Sequence, residues 1–400
     1  MSKHEKKTSS LLHYPVLVVF SLFFIGLFAL DMLTPDRSYS ELENTTLSQR
    51  PALTQFTAKG LNSYFTAYTK YVKDQVAGRD QWISLQSVVE TTLLQKQQNG
   101  GILLGREHMM FPRTYGLLSS EERTLPKNTA ALTSLCQRYP GKVNVLLAPA
   151  ASDIYKENVP ANAPLLDEDG YLDQLSAAVQ AAGGRFVDVR QTLTAHKSEY
   201  IYYRTDHHWT SYGAYIGYKA AASAMKFTAY NEDKFSVEHA SNEFRGTLYS
   251  KTLDNSITPD TIDIYALANN EPQVKVSVYK SGAEPDSTYA SLYFREFLDV
   301  KDKYSTFLGQ NVPRIDIDSD IPQENDKGSL LIFKDSYAHS LIPFLAKNYS
   351  HITVLDLRYI NSDLSNIGVN LKDYENALFM YNVITFSQDT NVKKLDFIVK

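Results

Sequence analysis

Cysteine is almost absent: Cys136 is the single thiol in a chain of 400 residues. An intramolecular disulfide is therefore impossible, and an exported chain of this size must rest on its core rather than on crosslinks. That suits a bacterial surface better than an animal secreted domain. Cys136 falls in an apolar helical pattern with Ala131, Leu132 and Leu135, which predicts a packed thiol and not a nucleophile. Dense basic clusters are missing too. With a net charge of −5, a pI near 6 and scattered basic residues, a general nucleic-acid binder is excluded. There is no internal repeat and no long low-complexity tract. What remains, 43% hydrophobic and 21% charged, is enough for packed globular structure in one large domain or two modest ones.

Charge is also lacking from Leu11 to Leu30, a run with no Asp, Glu, Lys or Arg. Twenty helical residues span roughly 30 Å, the hydrocarbon thickness of a bilayer. Pro15 lies near the start, where a helix tolerates it best. Lys3, Lys6 and Lys7 precede the run, while Asp31 and Asp36 follow it with Arg37 the one nearby cation. The positive-inside rule then predicts a cytoplasmic tail over 1–10, a single-pass anchor over 11–30 and an extracytoplasmic remainder. A cleaved signal peptide starts similarly, but Phe28-Ala29-Leu30-Asp31 makes a poor small-x-small site. A buried soluble helix would not need twenty uncharged residues, so the reading is an uncleaved anchor.

Residues 31–60, rich in Ser, Thr and Pro, are expected to form a polar tether, and 61–400 the exported domain. Tyr64, Tyr68, Tyr71 and Val72 recur at helical spacing, with Gly78-Arg79-Asp80 breaking that stretch in two. From Ile102 onward short apolar strands alternate with helices, at 127–138, 143–147, 171–182, 185–189, 212–225, 329–333, 337–348, 352–355 and 377–380. This predicts an α/β fold with a parallel sheet covered on both faces. Between about 251 and 325 strands follow one another without helices, which predicts a β-rich insertion.

Two segments carry chemistry. In Thr205-Asp206-His207-His208-Trp209-Thr210, Asp206 and His208 share one side of an extended segment. A carboxylate so placed can hold an imidazole at one nitrogen and leave the other free as a general base. In Leu330-Leu331-Ile332-Phe333-Lys334-Asp335-Ser336-Tyr337, Ser336 stands where a buried strand meets a helix. That is the sheet edge at which α/β proteins bind ligands. Other readings stand beside these: Asp335 or Ser336 as a helix cap, Asp206 with His208 as a structural pair, or the two histidines with Asp206 as metal ligands. A third metal ligand at recognisable spacing is missing, His339 and His351 being isolated, so neither a metal nor another cofactor is expected.

Tyr202-Tyr203-Arg204-Thr205-Asp206-His207-His208-Trp209-Thr210 resembles the signature of the DHHW protein family, related to SGNH-hydrolase-like proteins of the alginate acetylation type (AlgX and AlgJ). Glu41-Leu42-Glu43-Asn44 with Pro51, Gly78 to Trp82, Gly105 to Phe111, Pro149 to Pro160, Gly246 to Lys251, Lys334 to Tyr337 and Asp356 to Tyr359 resemble further stretches of that family. The resemblance implies an SGNH-hydrolase-like fold in which the Asp-x-His element precedes the serine. It implies Ser336 as nucleophile, His208 as base and Asp206 as its orienting partner, with His207, Trp209, Tyr337 and Arg358 as substrate contacts. Lys334 stands where relatives carry glycine, and the oxyanion hole is assigned only to the Ser336 backbone. The function implied is O-acetyl transfer to a cell-surface polysaccharide through an acyl-serine, beside a membrane-bound O-acyltransferase that supplies the acyl group. A carbohydrate esterase with the same triad and a non-catalytic polysaccharide-binding scaffold are the alternatives.

Overall fold

The computed structural model describes residues 14–52, 57–114, 118–163, 165–281 and 284–399. The three lysines and the first residues of the apolar run lie outside them. The chain divides into two compact units, residues 1–89 and 90–400, so the helical pair after residue 57 groups with the N-terminal unit and not with the α/β domain.

In the N-terminal unit, helix α1 (Pro15–Leu33) buries none of its side chains and is long and apolar enough to cross a membrane. Its 19 residues make about 28 Å of helix. The helix begins at Pro15, a position where the missing N–H costs nothing, and runs past the expected end at Leu30. The expected tether is ordered in part. Tyr39–Ser40 pairs with Thr45–Thr46, and Arg37 grips the Asp80 carboxylate at 2.8 and 3.1 Å. Helices α2 (Ala58–Gln75) and α3 (Arg79–Val88) are separated at Gly78, whose φ of 68° only glycine adopts freely.

The second unit is built on an eight-stranded sheet. Its strands are β1 (Val143–Ala148), β2 (Arg185–Phe186), β3 (Gln273–Tyr279), β4 (Ser287–Tyr289), β5 (Arg314–Asp320), β6 (Ser329–Lys334), β7 (His351–Leu355) and β8 (Asn376–Asn382), in the order β4-β3-β5-β7-β6-β8-β1-β2. From β7 to β2 the pairing is parallel, and β4, β3 and β5 join antiparallel. The sheet is therefore mixed, and most of the expected insertion is part of it. Strands joined without helices add antiparallel to a sheet edge, because a parallel neighbour needs a crossover. Among the described residues, only the hairpin Phe235–Phe244 with Asp260–Leu267 forms a sheet of its own in this region, and it starts before residue 251. Ser291-Leu292-Tyr293 makes one isolated bridge, Tyr293 to Phe307, and no strand.

The central strands are apolar throughout because both faces are covered. Leu330 and Ile332 of β6 enter one core, and Leu331 and Phe333 enter the other. Helices α4 (Leu118–Arg138), α5 (Glu168–Ala181), α6 (Ser211–Met225) and α7 (Ala338–Leu345) flank the sheet. Cys136 is fully buried, and burial pushes its thiol up to about 11, as a packed cysteine requires. On α6, Gly213 and Gly217 let the Trp209 side chain lie against the helix; a Cβ on either would come within about 3.0 Å of it.

Candidate active site

The segment carrying Asp206 is a tight loop and not an extended strand. Its arms are joined by a Tyr202–Trp209 bridge and by the Tyr203 N–H donating to His208 O at 3.2 Å. The loop is tied down from outside the motif. The buried Asp260 carboxylate accepts from Arg204 N at 2.9 Å, Thr205 N at 2.8 Å and Thr205 Oγ1 at 2.5 Å. Because the loop bends, His207 and His208 lie side by side with ring centroids 3.9 Å apart, instead of facing opposite sides. Thr210 then caps α6 by accepting from Gly213 N at 3.1 Å.

Ser336 follows β6 at the C-terminal end of the parallel strands, the edge where open α/β sheets place ligands. The two capping candidates separate here. Asp335 accepts from Tyr337 N and Asn382 N, each at 2.9 Å, which leaves Ser336 for other work. Ser336 Oγ lies 2.7 Å from His208 Nε2, and His208 Nδ1 lies 2.6 Å from Asp206 Oδ1. Asp206 Oδ2 accepts from Thr247 N at 2.7 Å and Thr247 Oγ1 at 2.9 Å. Burial opposes ionisation of Asp206, but the two imidazoles and the Thr247 N–H outweigh it and hold the carboxyl below the usual range. Asp206 is thus ionised, with His208 Nδ1–H directed at it. The Tyr304 ring stacks on His208 at 3.8 Å and 9°, and its hydroxyl donates to Ser336 O at 3.0 Å.

Two cavities meet at this wall. One of about 370 Å³ is bordered by His208, Ser336, Tyr304, Asn311 and His339; the other, about 460 Å³, by Tyr337, Arg113 and Lys251; Asp206, His207 and Thr247 border both. His207 and Tyr337 thus reach a cavity, and the Tyr337 hydroxyl donates to His207 O. Trp209 does not. It is wholly buried, and its indole N–H is shared between Tyr337 O at 3.1 Å and Ser340 Oγ at 2.9 Å, because the motif folds back onto α7. Arg358 borders neither cavity, being held on Asp356 at 2.9 and 2.5 Å, while its neighbour Tyr359 reaches the smaller one. Asp206, His207 and His208 bring possible ligand atoms within 4.8 Å of one another. A cation there would compete with the bonds from Asp206 to Thr247 and from His208 to Ser336.

Asp260, Tyr304 and Asn311 carry no motif of their own, and Thr247, inside the Gly246–Lys251 stretch, was given no role by sequence reasoning. Among the described residues, the Ser336 N–H and the Asn311 Nδ2 donate to no protein acceptor.

No curated protein matches the chain in sequence. Its fold matches a DHHW family protein from Eubacterium siraeum, with a TM-score of 0.54 and 23% identity over 68% of this chain and 89% of that one. PatB1 of Bacillus cereus matches with a TM-score of 0.53 and 18% identity over 72% and 98%. A second PatB1 structure, bearing a sulfonyl adduct, gives 0.51 and 17% over 69% and 91%. The model of the DHHW protein family covers residues 129–355, more than half of the chain and all of the site from Asp206 to Ser336. The chain belongs to the DHHW family.

Proposed function

We propose that this protein transfers acetyl groups to hydroxyls of a cell-surface polysaccharide through an acyl-serine. The observation that carries the reading is the unbroken chain Asp206–His208–Ser336 at 2.6 and 2.7 Å, bordering a cavity at the C-terminal edge of the sheet. His208 Nε2 takes the Ser336 proton as Oγ attacks the acyl carbon, and then returns it to the leaving oxygen of the donor. In the second half His208 deprotonates a sugar hydroxyl, which attacks the acyl carbon. The Oγ–acyl bond breaks and the proton returns to Ser336. The Ser336 N–H and the Asn311 carboxamide N–H are the donors available to the oxyanion. Asp206 steadies the imidazolium in both halves.

The apolar α1 supports a membrane-anchored protein, with the lysines at the cytoplasmic side and the α/β domain outside. Acetyl-CoA is cytoplasmic, so the donor must be delivered across the membrane, and a membrane-bound O-acyltransferase is the partner that chemistry calls for. In cells, Ser336→Ala is expected to abolish O-acetylation of the envelope polysaccharide while the protein stays abundant; unchanged acetylation refutes the transferase. A Ser336→Ala strain whose polysaccharide gains acetyl would point to the esterase instead.

A further inference from the structure

The departure at the family's glycine position is Lys334, and it is 1% exposed. It ends β6, two residues before Ser336. Its ammonium has three N–H donors, and three acceptors meet them: Asn311 Oδ1 at 2.6 Å, His339 Nε2 at 2.7 Å and Asp356 Oδ2 at 3.2 Å. An ammonium donates and cannot accept, so it fixes the orientation of two neighbours. Asn311 turns its oxygen to the lysine, which leaves its NH₂ for the cavity that both Asn311 and Ser336 border. His339 presents a lone pair at Nε2 to the ammonium and so keeps its proton on Nδ1.

Phe307 and Asn311 stand at the two ends of one turn, with Leu308 and Gly309 between them in the left-handed region at φ 60° and 79°. One buried cation thus holds this turn at its Asn311 end. Stability alone does not account for the lysine. Asp356 already has Arg358, and burial drags the Lys334 pKa down to about 8 although Asp356 opposes it. Buried ion pairs are often matched or bettered by apolar residues of similar volume.

We infer that Lys334 is a positioning residue that aims the Asn311 carboxamide at the acyl oxygen on Ser336, completing an oxyanion site whose second donor is the Ser336 N–H. This rests on the acyl-serine reading above. It predicts that the two residues act as one unit, since Lys334 reaches the reaction only through Asn311.

The full-length protein in detergent micelles, assayed with 4-nitrophenyl acetate, tests this. Asn311→Ala is expected to lower kcat about 100-fold, the loss typical of one oxyanion donor, with KM little changed. Lys334→Met is expected to lower kcat at least tenfold, and adding it to Asn311→Ala to cost less than about threefold more. A Lys334→Met enzyme within twofold of wild type, or losses that multiply in the double variant, overturns the inference. Should Lys334→Met not fold, a crystal structure of the wild-type protein sulfonylated by phenylmethanesulfonyl fluoride decides. A sulfonyl oxygen within about 3.2 Å of Asn311 Nδ2 is expected, and a carboxamide turned away overturns the inference. A wild type that neither turns over ester nor takes up sulfonyl at Ser336 refutes the acyl-serine reading itself, a result distinct from either.

Discussion

Replacing Asp206 by asparagine changes one atom and should cost most of the chemistry. Each carboxylate oxygen accepts from two donors, one of them a backbone N–H that cannot turn: His208 N at 3.0 Å on Oδ1 and Thr247 N at 2.7 Å on Oδ2. An asparagine must set its NH₂ against one of these. The longer contact yields more readily, so the amide nitrogen is expected at the His208 side with its oxygen kept on Thr247. Its N–H then donates to His208 Nδ1, which must hold a lone pair, and the imidazole proton moves to Nε2. That nitrogen faces Ser336 Oγ at 2.7 Å and no longer has a lone pair to take the serine proton. A wrong-tautomer triad loses about 10,000-fold in kcat, or about 5 kcal/mol in the barrier. Hydrolysis of 4-nitrophenyl acetate by wild-type and Asp206→Asn protein, with folding checked by circular dichroism, measures it. A folded variant that retains a tenth of the wild-type kcat refutes the argument.

Gly246→Ala places a Cβ 2.3 Å from Asp206 Oδ2, so the carboxylate must shift; kcat is expected to fall on the order of 100-fold in folded protein, and an unaffected rate shows that Gly246 does not set the Asp206 position. Glu168 is buried with its carboxylate accepting from Ala150 N at 2.9 Å, and burial raises its pKa to about 8. The folded state therefore keeps this proton while the unfolded chain releases it near its ordinary value. Stability falls by up to about 1.4 kcal/mol per unit as pH rises from about 4.5 to about 8. Glu168→Gln is expected to remove that slope, gaining on wild type at pH 8 but not at pH 4.5 in urea titrations; equal slopes refute the assignment. Trp209→Phe removes the donor shared by Tyr337 O and Ser340 Oγ, and should cost about 1–3 kcal/mol by the same titration.

The meeting of Ser336 with His208 was legible because each sits at a junction that sequence marks. Ser336 closes an unbroken apolar strand, and His208 precedes a capped helix. The parallel half of the sheet was legible for the same reason, since strands buried on both faces read as apolar runs. The antiparallel edge was not. Asp316 and Asp318 alternate with Ile315 and Ile317 on β5, a half-polar pattern that looks peripheral and yet pairs directly with β7. Asp260 and Tyr304 were invisible as site residues because their roles exist only across a fold, gripping a loop some fifty residues earlier or covering an imidazole nearly a hundred residues away. Trp209 misled in the opposite sense: an aromatic beside a candidate base suggests a sugar platform, and burial shows a hydrogen-bonded joint.

That joint divides the four-letter motif into two kinds of information. On the proposed reading Asp206 and His208 encode a reaction, whereas Trp209 encodes the spacing between their loop and the backbone of Tyr337, the residue after Ser336. A sequence could lose the first and keep the second, folding alike without chemistry. It could also keep the first and lose the second, holding the right groups on loops free to drift apart. Scoring the letters separately, and not as one word, would sort working relatives from silent ones.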